Sequence, residues 1–133
     1  MKGENKMEKK YPKIGDKLYL TRGSDWYNTT MDPYTVVRID HGKVWVQECK
    51  LIFPVFQENP NWTPEQREYY MPMVGQRVRF YDTVAESIEP DPTGRVIGLS
   101  WSPKKKQWQY DPYKTGYPSV AVFGQWRHQP YLN

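Results

Sequence analysis

Two stretches of this sequence resemble each other at a spacing of 60 residues. Residues 14–20 read Ile-Gly-Asp-Lys-Leu-Tyr-Leu, and residues 74–80 read Val-Gly-Gln-Arg-Val-Arg-Phe. Without a gap, three further apolar positions then correspond, namely Val36, Val37 and Ile39 with Val96, Ile97 and Leu99. Self-similarity at a fixed period is typical of repeated structural units. The spacing therefore predicts two small β modules rather than one irregular domain.

The composition also predicts a mainly β fold. Twelve prolines and nine glycines are typical of short strands joined by turns, and six tryptophans and eleven tyrosines supply apolar surface for small sheets. A module of about 60 residues buries only about 60% of its unfolded surface, so the modules should lean on each other or on a partner, including a second copy of the chain. We expect four segments: a disordered basic tail (1–11), a first small β module (12–57), a linker (58–73) and a second small β module (74–133).

The linker is predicted to contain one short helix. Thr63 suits the N-cap, Pro64 suits the first helical position, and Gln66 can complete a capping box with Thr63. The residue before a proline disfavours helical geometry, so Pro72 should end the helix at about Tyr70.

A tight hairpin is predicted at His41-Gly42. Glycine adopts positive φ freely, and histidine tolerates it better than most residues. Such a turn would place Val37 opposite Val46 on the apolar face and Arg38 opposite Trp45 on the other face.

A second hairpin is predicted around residues 102–106. It would place Trp101 opposite Trp108 on a packed face of the second module. Residues 119–123 then read as a last strand.

In each half the order is strand, long loop, strand, tight hairpin, strand and short strand, with glycine before an alternating first strand. This order resembles the SH3-like small β-barrels, including the KOW and Tudor types, over residues 14–56 and 74–123. The resemblance implies two tandem SH3-like barrels joined by one short linker helix. The second half also resembles small proteins of bacteriophages and mobile elements. That likeness implies an accessory role, such as a phage-encoded inhibitor of a host factor or of a host defence system.

The sequence favours a binding protein over an enzyme. Cys49 stands one residue after a predicted strand and reads as structural, and neither His41 nor His128 has a spacing to it that suits catalysis or metal binding. We expect no cofactor and no metal. No apolar run has the length of a membrane span or follows the first residues as a signal peptide would. A cytoplasmic, reducing location is expected, in a bacterial host if the protein is phage-encoded.

The first long loop is the predicted ligand surface. Trp26 and Tyr27 lie there among polar residues, with no strand in which to bury them. Loop aromatics contribute strongly to binding when they meet a pocket. We expect Trp26 and Tyr27 to anchor a protein, a small molecule or a nucleotide, supported by Arg22 and Asp25. The alternative is a loop that covers the open end of a barrel, and the sequence weighs the two equally.

A second hypothesis is binding of nucleic acid. Five lysines against two glutamates within residues 1–13 account for most of the net charge of +4, so the body of the chain is nearly neutral. Phosphate contacts would come from the lysine-rich tail and from Lys104, Lys105, Lys106, Arg95 and Arg127. The alternative, which the hairpin register favours, is a solvated turn above a buried tryptophan pair.

The second long loop is acidic. It carries Asp82, Glu86, Glu89 and Asp91, whose spacing does not match a calcium-binding loop. A solvated acidic loop is the favoured interpretation, and docking onto the basic hairpin of another copy is the alternative.

Overall fold

The computed structural model describes residues 9–22 and 29–130. Within these ranges the chain forms eight strands, one α-helix and one 3-10 helix. The strands are β1 (Lys17–Arg22), β2 (Thr30–Asp40), β3 (Lys43–Glu48), β4 (Lys50–Ile52), β5 (Ser87–Glu89), β6 (Val96–Ser102), β7 (Gln107–Tyr110) and β8 (Ser119–Phe123). The helices are α1 (Pro64–Tyr70) and the 3-10 helix Met71–Met73.

Six strands close into a single barrel in the order β1-β2-β3-β6-β7-β8. All neighbouring pairs are antiparallel, and β1 closes the ring with β8, where Leu18 lies opposite Phe123. The expected mainly β fold with one short α-helix is confirmed. The two tandem barrels are not seen, because one barrel takes three strands from each half of the chain.

The pairing of β3 with β6 explains why the two halves share a barrel. Val44 lies opposite Leu99 and Val46 opposite Ile97, and all four side chains are buried. Side chains two residues apart in a strand point to the same face, so this pairing merges two apolar faces into one. One larger core buries a greater share of its surface than two small cores would. The core also contains Leu18, Leu20, Tyr34, Val36 and Trp108.

The resemblance at 60 residues corresponds to a shared turn rather than to a repeated barrel. Gly15 and Gly75 have φ values of +94° and +88°. In the first turn the Asp16 N–H donates to the Lys13 carbonyl, and in the second the Gln76 N–H donates to the Met73 carbonyl. Each glycine N–H also donates to the carbonyl of an extended partner residue, Val36 for Gly15 and Phe56 for Gly75. The N–H of that partner donates back to the carbonyl of the residue after the glycine. A type II turn requires positive φ at its third residue, so glycine recurs there.

After this turn the two stretches diverge. The first continues as β1, whereas residues 76–80 form one isolated bridge, between Arg77 and Val55. The partner segment contains Pro54, which has no N–H to donate to a strand ladder. The second stretch therefore lies outside the barrel.

The first hairpin forms with a β-bulge. His41 and Gly42 have φ values of +50° and +75°, as the turn requires. Beyond the predicted pair of Arg38 with Trp45 the register shifts, so that Val36 and not Val37 lies opposite Val46. The extra residue in β2 turns Val36 toward the core, where it is 1% exposed.

The second hairpin has the predicted register. Trp101 lies opposite Trp108, with ring centroids 5.3 Å apart and ring planes at 61°. Trp108 is 3% exposed, and its indole Nε1 donates to the Lys10 carbonyl at 2.8 Å. The Tyr11 ring also contacts Trp108, at 5.4 Å. Lys10 and Tyr11, the last two residues of the predicted tail, therefore cover the barrel beside the β6–β7 turn.

Residues 49–95 form an excursion between β3 and β6, containing β4, α1 and β5. The two ends of the excursion lie side by side, as shown by the hydrogen bond from the Glu48 N–H to the Arg95 carbonyl at 2.9 Å. Helix α1 has the predicted capping box, in which Thr63 and Gln66 exchange hydrogen bonds. The excursion is attached to the C-terminal segment by His128, whose Nδ1 accepts from the Ala85 N–H at 2.9 Å.

Candidate functional site

A cavity of about 340 Å³ opens at one end of the barrel. We call this end the barrel mouth: β1, β3 and β7 end there, and β2, β6 and β8 begin there. The cavity is lined by residues from four of these strands, by Arg95 just before β6, and by the segment between β7 and β8. The lining includes Arg22, Asp32, Tyr34, Arg95, Tyr110, Asp111, Tyr113 and Tyr117. This mouth cavity is within the size range of small-ligand sites.

Two arginines from opposite halves of the chain meet at the mouth cavity. Arg22 ends β1, and Arg95 immediately precedes β6. The Arg95 Nε lies 3.6 Å from the Glu48 carboxylate, and the Tyr34 hydroxyl beside the guanidinium raises the pKa of Arg95. A guanidinium has five N–H donors, so these contacts leave donors for a ligand.

The segment between β7 and β8 is built around the Asp111 carboxylate. Its Oδ1 accepts from the Thr115 N–H at 3.0 Å and from the Thr115 hydroxyl, and its Oδ2 accepts from the Gly116 N–H at 3.1 Å. The bonds from Thr115 are the main cause that lowers the pKa of Asp111. The turn presents Tyr113 and Tyr117, which are 86% and 79% exposed.

Asp32 is the acidic wall of the mouth cavity. Its side chain lines the cavity and is exposed there, yet protein surrounds it closely enough that desolvation raises the pKa of its carboxyl above the usual range. The nearby Glu48 carboxylate acts in the same direction, and Arg79 opposes both. Desolvation also raises the pKa of the buried Tyr34 phenol, and the hydrogen bond with Arg95 opposes this shift.

One of the four residues predicted in the first loop falls within the described part of the chain, and it lies in this cavity. Arg22 lines the wall, and it pairs with Thr30 at the point where the loop joins both strands. Asp25, Trp26 and Tyr27 lie outside the described residues. Both ends of the predicted ligand loop thus join the rim of the mouth cavity.

The residues predicted to contact nucleic acid are separated by the fold. Lys104, Lys105 and Lys106 are exposed on the β6–β7 turn, at the opposite end of the barrel from Arg95. The seven residues of β6 between them span about 20 Å, at about 3.3 Å per residue. Arg127 follows β8 in the C-terminal segment. Because Trp108 is buried, it is not available to stack on a base beside the basic turn.

Sequence reasoning missed Asp32, Tyr113 and Tyr117 as site residues. Tyr113 and Tyr117 stand among Pro112, Gly116 and Pro118, a composition that predicts a turn and does not indicate a place in a cavity wall. The available signal was Asp111 followed four and five residues later by Thr115 and Gly116. Asp side chains commonly accept hydrogen bonds from nearby backbone N–H groups, which fixes the shape of a turn.

The remaining candidate groups are Cys49 and the residue types that bind metal ions. Cys49 is half-buried, lies 3.4 Å from the Thr35 hydroxyl, and has a pKa raised by burial, which favours the unreactive thiol. In residues 9–22 and 29–130, no three His, Cys, Asp or Glu side chains are grouped to hold a metal ion. No helix in this same part of the chain is long and apolar enough to cross a membrane.

Comparison of the chain with protein-family models, with curated proteins and with solved structures finds no match. The geometry of the barrel and its cavities is therefore the basis on which a function can be proposed.

Proposed function

We propose that this protein is a non-enzymatic binding protein that holds a nucleotide-type ligand in the mouth cavity. The observation that carries the proposal is the convergence of Arg22 and Arg95 with four tyrosines around one cavity at the end of a closed barrel. Guanidinium groups bind phosphate through paired N–H donors, and tyrosine rings stack on planar bases. The site thus offers both kinds of contact that a nucleotide needs.

The acidic side chains of the cavity are compatible with an anionic ligand. Asp111 is bonded to three donors of its own turn, which compensate its charge locally. Asp32 has a raised pKa, so it takes up a proton more readily than an ordinary aspartate when an anion binds beside it. A nucleotide would therefore meet two arginines and one carboxyl that can be neutralised.

A closed barrel whose cavity is lined by arginines and tyrosines suits sequestration of a ligand rather than its chemical conversion. The described cavity residues include no cysteine or histidine, which are common nucleophiles and bases. The SH3-like resemblance and a role as a phage-encoded inhibitor of a host factor or defence system are part of this proposal. A protein that captures a signalling nucleotide would act in that way without catalysis.

The test is isothermal titration calorimetry of the protein with AMP, GMP, CMP and UMP. We expect at least one nucleotide to bind and to be recovered unchanged after incubation. Arg22→Ala and Arg95→Ala should each weaken binding by about tenfold or more, equivalent to about 1.4 kcal/mol. Asp32→Asn should strengthen it, because a negative charge beside the phosphate is removed.

The matched control is Lys105→Ala, which removes an exposed cation at the opposite end of the barrel. It should leave nucleotide affinity unchanged. If no nucleotide binds, or if the arginine variants bind like the parent, the proposal is wrong. If single-stranded DNA binds with steep salt dependence and a triple alanine variant of Lys104–Lys106 abolishes it, the nucleic-acid alternative replaces the proposal.

A further inference from the structure

A second pocket lies outside the barrel, on the excursion between β3 and β6. Its volume is about 460 Å³. It is lined by four aromatic and four amide side chains: Phe56, Trp62, Tyr70, Phe80, Gln57, Asn59, Asn61 and Gln66. We call it the aromatic pocket. Its residues come from the chain on both sides of helix α1 and from the helix itself, and they are distinct from those of the mouth cavity.

The aromatic side of this pocket is a stack of rings. The Trp62 ring lies 5.8 Å from Phe56 and 5.4 Å from Tyr70, with interplanar angles of 21° and 27°. Phe56 also contacts Phe80 at 5.6 Å. Phe56 and Tyr70 are themselves 5.8 Å apart, so the three rings form one cluster that holds Trp62, whose half-buried side chain still lines the pocket. The result is a preformed apolar surface that a ligand can cover without reordering the side chains.

The polar side of the pocket consists of amides. The Asn59 Oδ1 accepts from the Asn61 N–H, and the Gln66 Oε1 accepts from the Thr63 N–H, both at 2.9 Å. These contacts leave the two NH₂ groups as donors. In the described part of the chain the side-chain amides of Gln57 and Asn61 have no hydrogen-bond partner, so each offers both a donor and an acceptor.

The chemistry of the lining selects among ligand classes. All eight lining residues are uncharged, which disfavours a phosphate or a carboxylate at this place because no cation would compensate it. A polyproline segment supplies carbonyl acceptors but lacks N–H donors at its prolines, so it cannot satisfy the amide carbonyls. A sugar hydroxyl both donates and accepts, and can pair with both ends of an amide.

We propose that the aromatic pocket binds a neutral saccharide. One C–H face of the sugar ring covers Trp62, and its hydroxyls exchange hydrogen bonds with Gln57 and Asn61. The site is independent of the mouth cavity, and its ligand differs in charge from the nucleotide proposed there.

The experiment is an NMR titration of ¹⁵N-labelled protein with cellohexaose, chitohexaose, maltohexaose and mannohexaose. The six tryptophan indole N–H signals report separate sites, and a Trp62→Phe variant assigns the signal of Trp62. We expect at least one saccharide to shift the Trp62 signal and to leave that of the buried Trp108 unchanged. A polyproline decapeptide and AMP serve as comparison probes for the aromatic pocket.

Two variants test the two sides of the pocket. Trp62→Ala should weaken saccharide binding by about tenfold or more. Because that change could loosen the linker, the double variant Gln57→Ala with Asn61→Ala gives an independent test on two exposed side chains, and it should also weaken binding. Tyr113→Ala, in the mouth cavity, is the matched control and should leave saccharide binding unchanged.

Each result decides the proposal. It is overturned if none of the four saccharides shifts the Trp62 signal, if the double amide variant binds as the parent does, or if the polyproline peptide and not a sugar occupies the pocket. Because AMP binding is measured on the same samples, loss of one site is distinguishable from loss of the other.

Discussion

A Cβ atom on Gly94 would overlap the backbone carbonyl oxygen of Glu48. This close approach occurs where the excursion re-enters the barrel, beside the hydrogen bond from the Glu48 N–H to the Arg95 carbonyl. Because the obstructing atom belongs to the backbone, a larger residue here must displace a strand.

We therefore expect Gly94→Ala to destabilise the protein by roughly 1–3 kcal/mol, the usual cost of overpacking. Gly98→Ala is the comparison variant and should cost less, since its added carbon would meet the Trp45 side chain at 3.0 Å rather than the backbone. Urea denaturation of both variants measures the difference. Equal midpoints for the two variants would contradict the close approach at Gly94.

Trp108 should be the most costly tryptophan to truncate on the β6–β7 hairpin. Trp108→Ala removes a ring that contacts Trp101 and Tyr11 and the indole N–H that binds the Lys10 carbonyl. The expected loss is about 3–5 kcal/mol, a large part of the roughly 5–15 kcal/mol that stabilises a small domain. Lys105→Ala on the same hairpin should melt at the temperature of the parent. A Trp108→Ala variant that melts within a degree or two of the parent would show that this ring is not part of the core.

His128 should make stability depend on pH. Burial and then the nearby Arg79 lower the pKa of its imidazole below the usual 6.5, and protonation would remove the acceptor of the Ala85 N–H. As pH falls through about 6.5 the unfolded chain takes up the proton first, so the free energy of unfolding should decrease until the lowered pKa is passed.

The measurement is the urea midpoint at about pH 7.5 and about pH 5. The decrease should be smaller in His128→Gln, which keeps an acceptor but does not titrate. Lys105→Ala, on the exposed β6–β7 turn, is the control and should retain the parent's decrease. An unchanged pH dependence in His128→Gln would argue against the role of this imidazole.

Asp111 should govern the order of the β7–β8 segment. Asp111→Ala removes the acceptor of the Thr115 and Gly116 N–H groups, so their amide hydrogens should exchange faster with solvent. In the parent the same protection should be present above the usual carboxyl range and decline as pH falls through the lowered pKa of Asp111. Asp111→Asn keeps one acceptor oxygen and should exchange at an intermediate rate. Equal exchange in all three proteins would mean that the turn does not depend on this side chain.

The elements that could be predicted from the sequence are those whose signals are local. The capping box at Thr63, the turn at His41-Gly42 and the Trp101–Trp108 pair each depend on residues close together in the chain. The pairing of β3 with β6 depends on strands separated by the whole excursion, and no local pattern specifies it. The β-bulge at Val37 was missed because alternation alone favoured Val37 and not Val36 as the inward residue.

The repeat misled for a physical reason. A type II turn requires positive φ at its third residue, and Gly15 and Gly75 both meet that requirement. The turn does not require the residues after it to form a barrel strand. For the candidate site, Arg22 and Arg95 were each singled out, but in separate hypotheses. Their meeting in one cavity follows from the single barrel and could not be inferred from two separate modules.

The pairing of β1 with β8 has a consequence for how the chain is made. On the ribosome, β1–β3 emerge first, yet the β1 edge has no partner until residues 119–123 have been synthesised. Until then the nascent chain exposes an unpaired strand edge and an incomplete apolar face, the features that promote aggregation. The last barrel strand therefore ends a vulnerable stage of biosynthesis, and stalled translation before Ser119 should release a product that depends on chaperones.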